Sequence, residues 1–254
     1  ASVTDNVSCN GLSDGSMSAS PSGGTSPYTY QWNTGATNAS PSGLAANTYT
    51  VTVIDANGCT DTQTATITEP TAMGVSITAQ TNIDCNGSSS GSATAAGSGG
   101  TGAYTYAWSN GATSASLTSA AAGTYTVSVT AANGCGPSTS QITITEPAVL
   151  TAASVVDFNV SINGGNDGGA TASATGGTQP YTYAWSNGAT NASISGAAAG
   201  TYTVSVTDNN GCGPSTSEVT ITQPAVLVAA SVIDFNVDCN GGSDGGATAS
   251  ATGG

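Results

Sequence analysis

The chain has 254 residues, 14 carboxylates and no Lys, Arg or His, for a formal charge of −14 and a pI near 4.1. Average usage would give roughly thirty basic residues at this length, and their absence excludes whole classes of function. No side chain can neutralise phosphates, so nucleic acid is ruled out as a partner. Histidine acid–base work, lysine Schiff bases, arginine clamps and His-ligated metals are unavailable. Paired carboxylates remain as a catalytic route, but the acids do not recur as a pair, and the chain is expected not to be an enzyme. No apolar run approaches the ~18 residues of a membrane span, so no membrane insertion is expected. No signal-peptide pattern opens the segment, and a secretory signal is expected outside it.

Self-similarity organises everything else. Trp32, Trp108 and Trp185 sit in PYTYQWNTGAT, AYTYAWSNGAT and PYTYAWSNGAT, at intervals of 76 and 77. Cys59, Cys135 and Cys212 recur in NGC at the same spacing, and Cys9, Cys85 and Cys239 open as VSCNG, IDCNG and VDCNG. Glu69-Pro70, Glu146-Pro147 and Gln223-Pro224 close each unit. The expected domains are 1–70, 71–147 and 148–224, with 225–254 the first strands of an incomplete fourth repeat.

In the second repeat the elements read in chain order. Residues 74–83 are β-branched and 90–99 alternate small residues. Residues 103–108 place Tyr104, Tyr106 and Trp108 on one face, and Tyr125, Val127 and Val129 share a face of 124–130. Ile142 and Ile144 keep register in the last run. Period-two patterning with one apolar face marks half-buried antiparallel strands, joined by Asn-Gly turns. The Ala-rich stretch around Ala120–Ala122 is placed in a loop. Six or seven short strands per repeat predict an all-β fold, a tandem array of small immunoglobulin-like sandwiches of about 76–77 residues.

A sandwich of that size buries only some 60–65% of its unfolded surface, so cross-links are expected. Cys9 with Cys59 and Cys85 with Cys135 would each close about 50 residues, worth roughly 4 kcal/mol, in an oxidising compartment; free buried thiols are the alternative. Ile162 stands where the third early cysteine belongs, which leaves Cys212 and Cys239 as unpaired or intermolecular cysteines, with a Cys212–Cys239 bridge also open.

The pattern C-N-G, D-G, G-G, PYTY-W-S-N-G, GTYTVSVT-D-x-N-G-C and I-T-x-P resembles the SprB repeat, named for a gliding adhesin of gliding bacteria. The resemblance covers three full copies and a fraction. It implies an Ig-like module repeated along a cell-surface or secreted fibre for adhesion, motility or surface coating. Ile162, Ser90 and Ala131 depart from the pattern.

Other candidates follow from residue type. Asp14, Asp167 and Asp244 lie in Gly-rich loops, where one or two carboxylates would give weak calcium sites at best; turn formation is the bland alternative, and no other cofactor is expected. Asn6, Asn38, Asn86, Asn159 and Asn191 head N-x-S/T sequons and are glycosylation candidates. The aromatic strand is read as core, with Trp packed on the disulfide, or as a stacking platform for sugars. Residues 225–254 carry an apolar strand that must pair with something: the continuing chain, or a neighbouring subunit by strand donation. The reading is a structural extracellular rod or filament, a homopolymer or continuing copies of itself, carrying glycans; the alternative is a carbohydrate-binding adhesive module acting through loops or the Tyr-x-Tyr-x-Trp strand.

Overall fold

The computed structural model describes residues 1–254 and is all-β. The first repeat forms two three-stranded antiparallel sheets. One holds β1 (Ser2–Asp5), β2 (Gly15–Ser18) and β4 (Ser42–Leu44), in the order β1-β2-β4. The other holds β3 (Thr29–Trp32), β5 (Asn47–Ile54) and β6 (Thr60–Ile67), in the order β3-β5-β6. The second repeat repeats this with β7 (Gly74–Thr81), β8 (Gly91–Ser98) and β10 (Ser116–Ala120), and with β9 (Tyr104–Trp108), β11 (Gly123–Ala131) and β12 (Ser138–Ile144). The third follows with β13 (Thr151–Phe158), β14 (Gly168–Thr175) and β16 (Ser193–Ala197), and with β15 (Thr182–Trp185), β17 (Gly200–Thr207) and β18 (Ser215–Ile221). A final hairpin pairs β19 (Val228–Phe235) with β20 (Gly246–Thr252).

By contacts the chain divides into two compact units, Ala1–Asn82 with Ser89–Thr145, and Ile83–Ser88 with Glu146–Gly254. Strands β1 to β12 belong to the first unit and β13 to β20 to the second.

The period-two faces become the cores. In the first repeat Met17, Trp32, Val51 and Ile67 are buried together, and in the third Ala170, Trp185, Val204, Val206 and Ile221. Alternate positions of the same strands carry hydroxyls that pair across the exposed face, Thr48 with Thr66 at 2.9 Å and Thr201 with Thr220 at 3.3 Å. Tyrosines pin the corners: Tyr49 donates to the Ala45 carbonyl at 2.9 Å and Tyr202 to Ala198 at 3.0 Å. Ala121 and Ala122 lie in the expected loop, but Ala120 ends strand β10: Leu117 and Ala120 are buried and pair with β8. Its three-residue apolar spacing and register shift hid it from a period-two reading.

The chain leading into each later repeat is fastened to a Gly-Gly turn. Gly100, Gly177 and Gly254 donate to the carbonyls of Thr71, Ala148 and Ala225. Gly176 sits at φ +74°, with its Cβ position 2.0 Å from the Val149 carbonyl oxygen. Only glycine fits there.

Candidate functional site: the cysteine loops and their sockets

Two loops of each repeat carry the recurring cysteines, and the topology sends them to opposite ends of the sandwich. The early-cysteine loop of the first repeat follows β1 and lies beside the end of β6: Val7 N–H donates to Thr68 O at 3.0 Å, and Thr68 N–H donates to Asn6 Oδ1 at 2.9 Å. Cys59 stands at the start of β6. The stretch from Cys59 to Thr68 runs the length of that strand, about 30 Å at the usual rise. A disulfide needs Cα atoms within about 7 Å.

The expected Cys9–Cys59 and Cys85–Cys135 bridges are therefore corrected. Cys9 is bonded to Cys135 and Cys85 to Cys212, each with Cα atoms 5.4 Å apart, across 126 and 127 residues of sequence. The early cysteine of one repeat joins the late cysteine of the next. Cys9–Cys135 lies within the first compact unit and Cys85–Cys212 within the second. Cys212 is thus paired, neither alone nor bonded to Cys239; Cys59 and Cys239 are the free, exposed cysteines. On this stagger Ile162 leaves no cysteine of this chain without its mate.

Each early loop is shaped from its own repeat. Asp14 accepts from Ser8 N–H at 3.0 Å and from the Ser8 hydroxyl, and Asp167 accepts from Ser161 N–H at 3.0 Å. The serine hydroxyls first, and then the backbone N–H groups, hold both carboxyls below the usual range. Asp244 accepts from Asp238 N–H at 3.3 Å. All three candidate calcium aspartates are thus turned onto their own loops, and no three acidic, Cys or His side chains gather as a metal-binding group. The closing Glu-Pro and Gln-Pro residues also shape these loops, a role the spacing did not reveal. Gly11 N–H donates to Glu69 Oε2 at 2.7 Å, Gly87 N–H to Glu146 Oε2 at 2.7 Å, and Gly164 N–H to Gln223 Oε1 at 2.8 Å. Glutamine serves because a side-chain carbonyl oxygen is all the contact requires.

The late loop is a socket built on one aspartate. In the third repeat Asp208 Oδ1 accepts from Asn210 N–H at 2.9 Å and Cys212 N–H at 2.8 Å, and Oδ2 accepts from Thr178 N–H at 2.8 Å. Burial pushes this carboxyl up, but those donors outweigh burial and hold it below the ordinary value. Asn210 Nδ2 then donates to the incoming loop, to Asp84 O at 3.1 Å. In the second repeat Asn133 Nδ2 donates to Ser8 O at 2.7 Å. Ala131 stands there in place of the aspartate, and Asn133 Oδ1 receives Thr101 N–H at 3.3 Å instead.

The tryptophans of the aromatic strand are buried, while its tyrosines are half-buried. Trp32, Trp108 and Trp185 are 2%, 3% and 4% exposed, and their Nε1–H groups donate to Asn38, Ser114 and Asn191 carbonyls at 2.9, 2.9 and 3.0 Å. The rings lie in the core and not against a disulfide, because the bridges sit at the ends of the repeats. All five sequon asparagines are exposed. Asn6 and Asn159 use Oδ1 to receive Thr68 and Thr222 N–H, while Asn86 and Asn38 donate through Nδ2 to the Pro147 and Ser40 carbonyls.

A family model for the SprB repeat matches residues 1–37, 77–113 and 159–190. The SprB-repeat model thus matches three times across the chain, once in each repeat. Each match ends with the Trp phrase, so the late cysteines lie outside the matched spans. No protein of curated function matches the chain. Among solved structures the chain is similar to the eight N-terminal Ig domains of Down syndrome cell adhesion molecule (11% identity, TM-score 0.34, 90% of this chain and 37% of that one). It is also similar to domains 7, 8 and 9 of the S-layer protein SbsC (13%, TM-score 0.23, 72% of each). A third likeness is to SGBP-B of the Bacteroides ovatus mixed-linkage glucan utilization locus, in complex with a mixed-linkage heptasaccharide (13%, TM-score 0.21, 96% and 71%). The chain thus spans little more than a third of the first of these. No helix is long and apolar enough to cross a membrane.

Proposed function

We propose that this chain is a length of an extracellular structural array, a stalk or surface fibre of SprB repeats in which each repeat is covalently fastened to the next. The observation that carries the reading is the staggered pairing of Cys9 with Cys135 and Cys85 with Cys212. A bridge inside one domain raises that domain's stability. A bridge from one domain to the next adds continuity under load, because force passes through it without unfolding the domain it bypasses. Disulfides of this kind persist in oxidising surroundings outside the cytosol. A surface of hydroxyls and amides with no Lys or Arg offers no site to proteases that cut at basic residues. The role is mechanical and non-catalytic, and glycans on exposed asparagines would add to the coat.

Small-angle scattering on the unreduced chain tests this. Eight-residue strands of about 26 Å with loops at each end give roughly 35–40 Å per repeat, and three repeats in line give a rod of about 110 Å. A compact particle with no long dimension would overturn the reading.

A further inference from the structure

The outer face of one sheet in the first repeat is a grid of threonines. Strands β5 and β6 pair Thr48 with Thr66, Thr50 with Thr64 and Thr52 with Thr62. All six point away from the core, since the buried Tyr49, Val51 and Ile67 alternate with them. Thr48, Thr62, Thr64 and Thr66 are exposed, and Thr50 and Thr52 half-buried. Rungs two residues apart belong to the same class of antiparallel pair, so the three are built alike. The strands set a step of about 6.8 Å between rungs and a width of about 4.8 Å across them. The Thr48 and Thr66 hydroxyls lie 2.9 Å apart, and branching at Cβ restricts χ1. Hydroxyls and methyls are therefore positioned before any ligand arrives.

The grid carries no charge. On the same face β5 continues to Ile54, β6 begins with Thr60, and β3 contributes Thr29 and Gln31. Asp61, the acid of β6, alternates to the opposite face. The other repeats keep an outer threonine rung, Thr124 with Thr143 and Thr201 with Thr220. Their central rungs differ: Thr126 faces Gln141 and Thr203 faces Glu218. Strand propensity favours threonine on an exposed face, but it sets no register of three paired rungs.

The chemistry of the grid selects its ligand. Small-molecule sites are concave, with aromatic lining and convergent polar groups; the grid is an open sheet face without an aromatic ring. Its complement is a neutral, periodic surface of hydrogen-bonding groups. Ice presents such a surface: waters on its prism face repeat in two perpendicular directions, at distances close to the step and the width of the grid. Threonine hydroxyls anchor a first water layer and the methyls between them space it, so that layer continues into the crystal.

We propose that the outer face of β5 and β6 in the first repeat is an ice-binding surface, with crystalline water as its ligand. The proposal extends the surface-fibre reading, but it stands on the grid, and either can fail without the other.

The test measures ice recrystallisation and the shape of single ice crystals with the unreduced full chain. The expected result is arrested grain growth at micromolar concentration, with faceted crystals. T64K sets an ammonium in the central rung and raises the concentration needed at least about tenfold, because a charge pressed unpaired against a neutral lattice is costly to desolvate. T64Y does the same by bulk, with a residue that strands accept readily. S42K, at an exposed position of β4 in the other sheet, keeps full activity. Intact Cys9–Cys135 and Cys85–Cys212 bridges and unchanged circular dichroism show that the variants have folded. The proposal is overturned if the chain affects ice no more than an equal mass of albumin, or if folded T64K and T64Y are as active as the parent. Binding of a cell-wall polysaccharide that T64Y abolishes, without any effect on ice, would give the face to a sugar and overturn it too. An elongated particle without ice activity would leave the array reading standing and remove this one; ice activity in a compact particle would do the reverse.

Discussion

The staggered bridges set how far the chain can be pulled out, and this length distinguishes them from bridges inside each repeat. Consider a molecule held at its two ends, with Cys59 and Cys239 alkylated, and unfolded by force. With Cys9 bonded to Cys135 and Cys85 to Cys212, the taut path runs from residue 1 to Cys9 and crosses to Cys135. It then returns to Cys85, crosses to Cys212 and continues to Gly254. That path contains about 100 residue steps, or about 330–360 Å at the reach of an extended chain. Bridges within each repeat, Cys9 to Cys59 and Cys85 to Cys135, would leave about 150 steps and about 500–550 Å. The reduced chain would extend to about 830–910 Å. Optical tweezers or force microscopy resolves these lengths easily. The account predicts the shortest of the three before reductant and the longest after it. An oxidised contour of about 500–550 Å would refute the reasoning, because bridges inside the repeats produce it and the staggered bridges do not.

Further outcomes follow from the same geometry. C9S and C135S should each cost up to about 5 kcal/mol in denaturant unfolding, the loop-closure value for a bridge of this span, whereas C59S should leave stability unchanged. The Asp208 carboxyl is held below its ordinary pKa in the folded chain, so the folded state binds fewer protons than the unfolded state as pH drops. Its contribution is whole above pH ~4, the unfolded carboxyl range, and is lost as pH falls further through the folded value. D208N should therefore lower stability at pH 6 and flatten the acid side of a pH–stability curve. G176A sets a methyl against the Val149 carbonyl at a positive φ and should cost at least about 2 kcal/mol, read as a lowered Tm.

The fold was largely legible in the residues because its two main signals are local. The 76- and 77-residue intervals and the alternation of Tyr125, Val127 and Val129 both act along a single strand or turn, and the strands lie where that alternation placed them. β10 escaped because Leu117 and Ala120 do not alternate. The bridges escaped for a different reason. Cys9 and Cys59 are near in sequence, but β6 holds them a strand's length apart, while Cys135 is far in sequence and close in space. Strand order held the missing signal: in an immunoglobulin-like sandwich the loop after the first strand and the loop before the last strand lie at opposite ends. Applying that to the two cysteine loops would have excluded pairing within a repeat. Asn133 and Asn210 read as ordinary Asn-Gly turns, since nothing local marks a side chain as the donor to another repeat's loop.

Cleavage at the two methionines, Met17 and Met73, puts the central claim to its most direct test. Cyanogen bromide applied to the unreduced, alkylated monomer divides the chain into 1–17 with Cys9, 18–73 with Cys59, and 74–254 with the remaining cysteines. The account predicts that 18–73 is released alone with Cys59 alkylated, while 1–17 stays bonded to 74–254 until reductant is added. Recovery of 1–17 joined to 18–73, with 74–254 free, would contradict it.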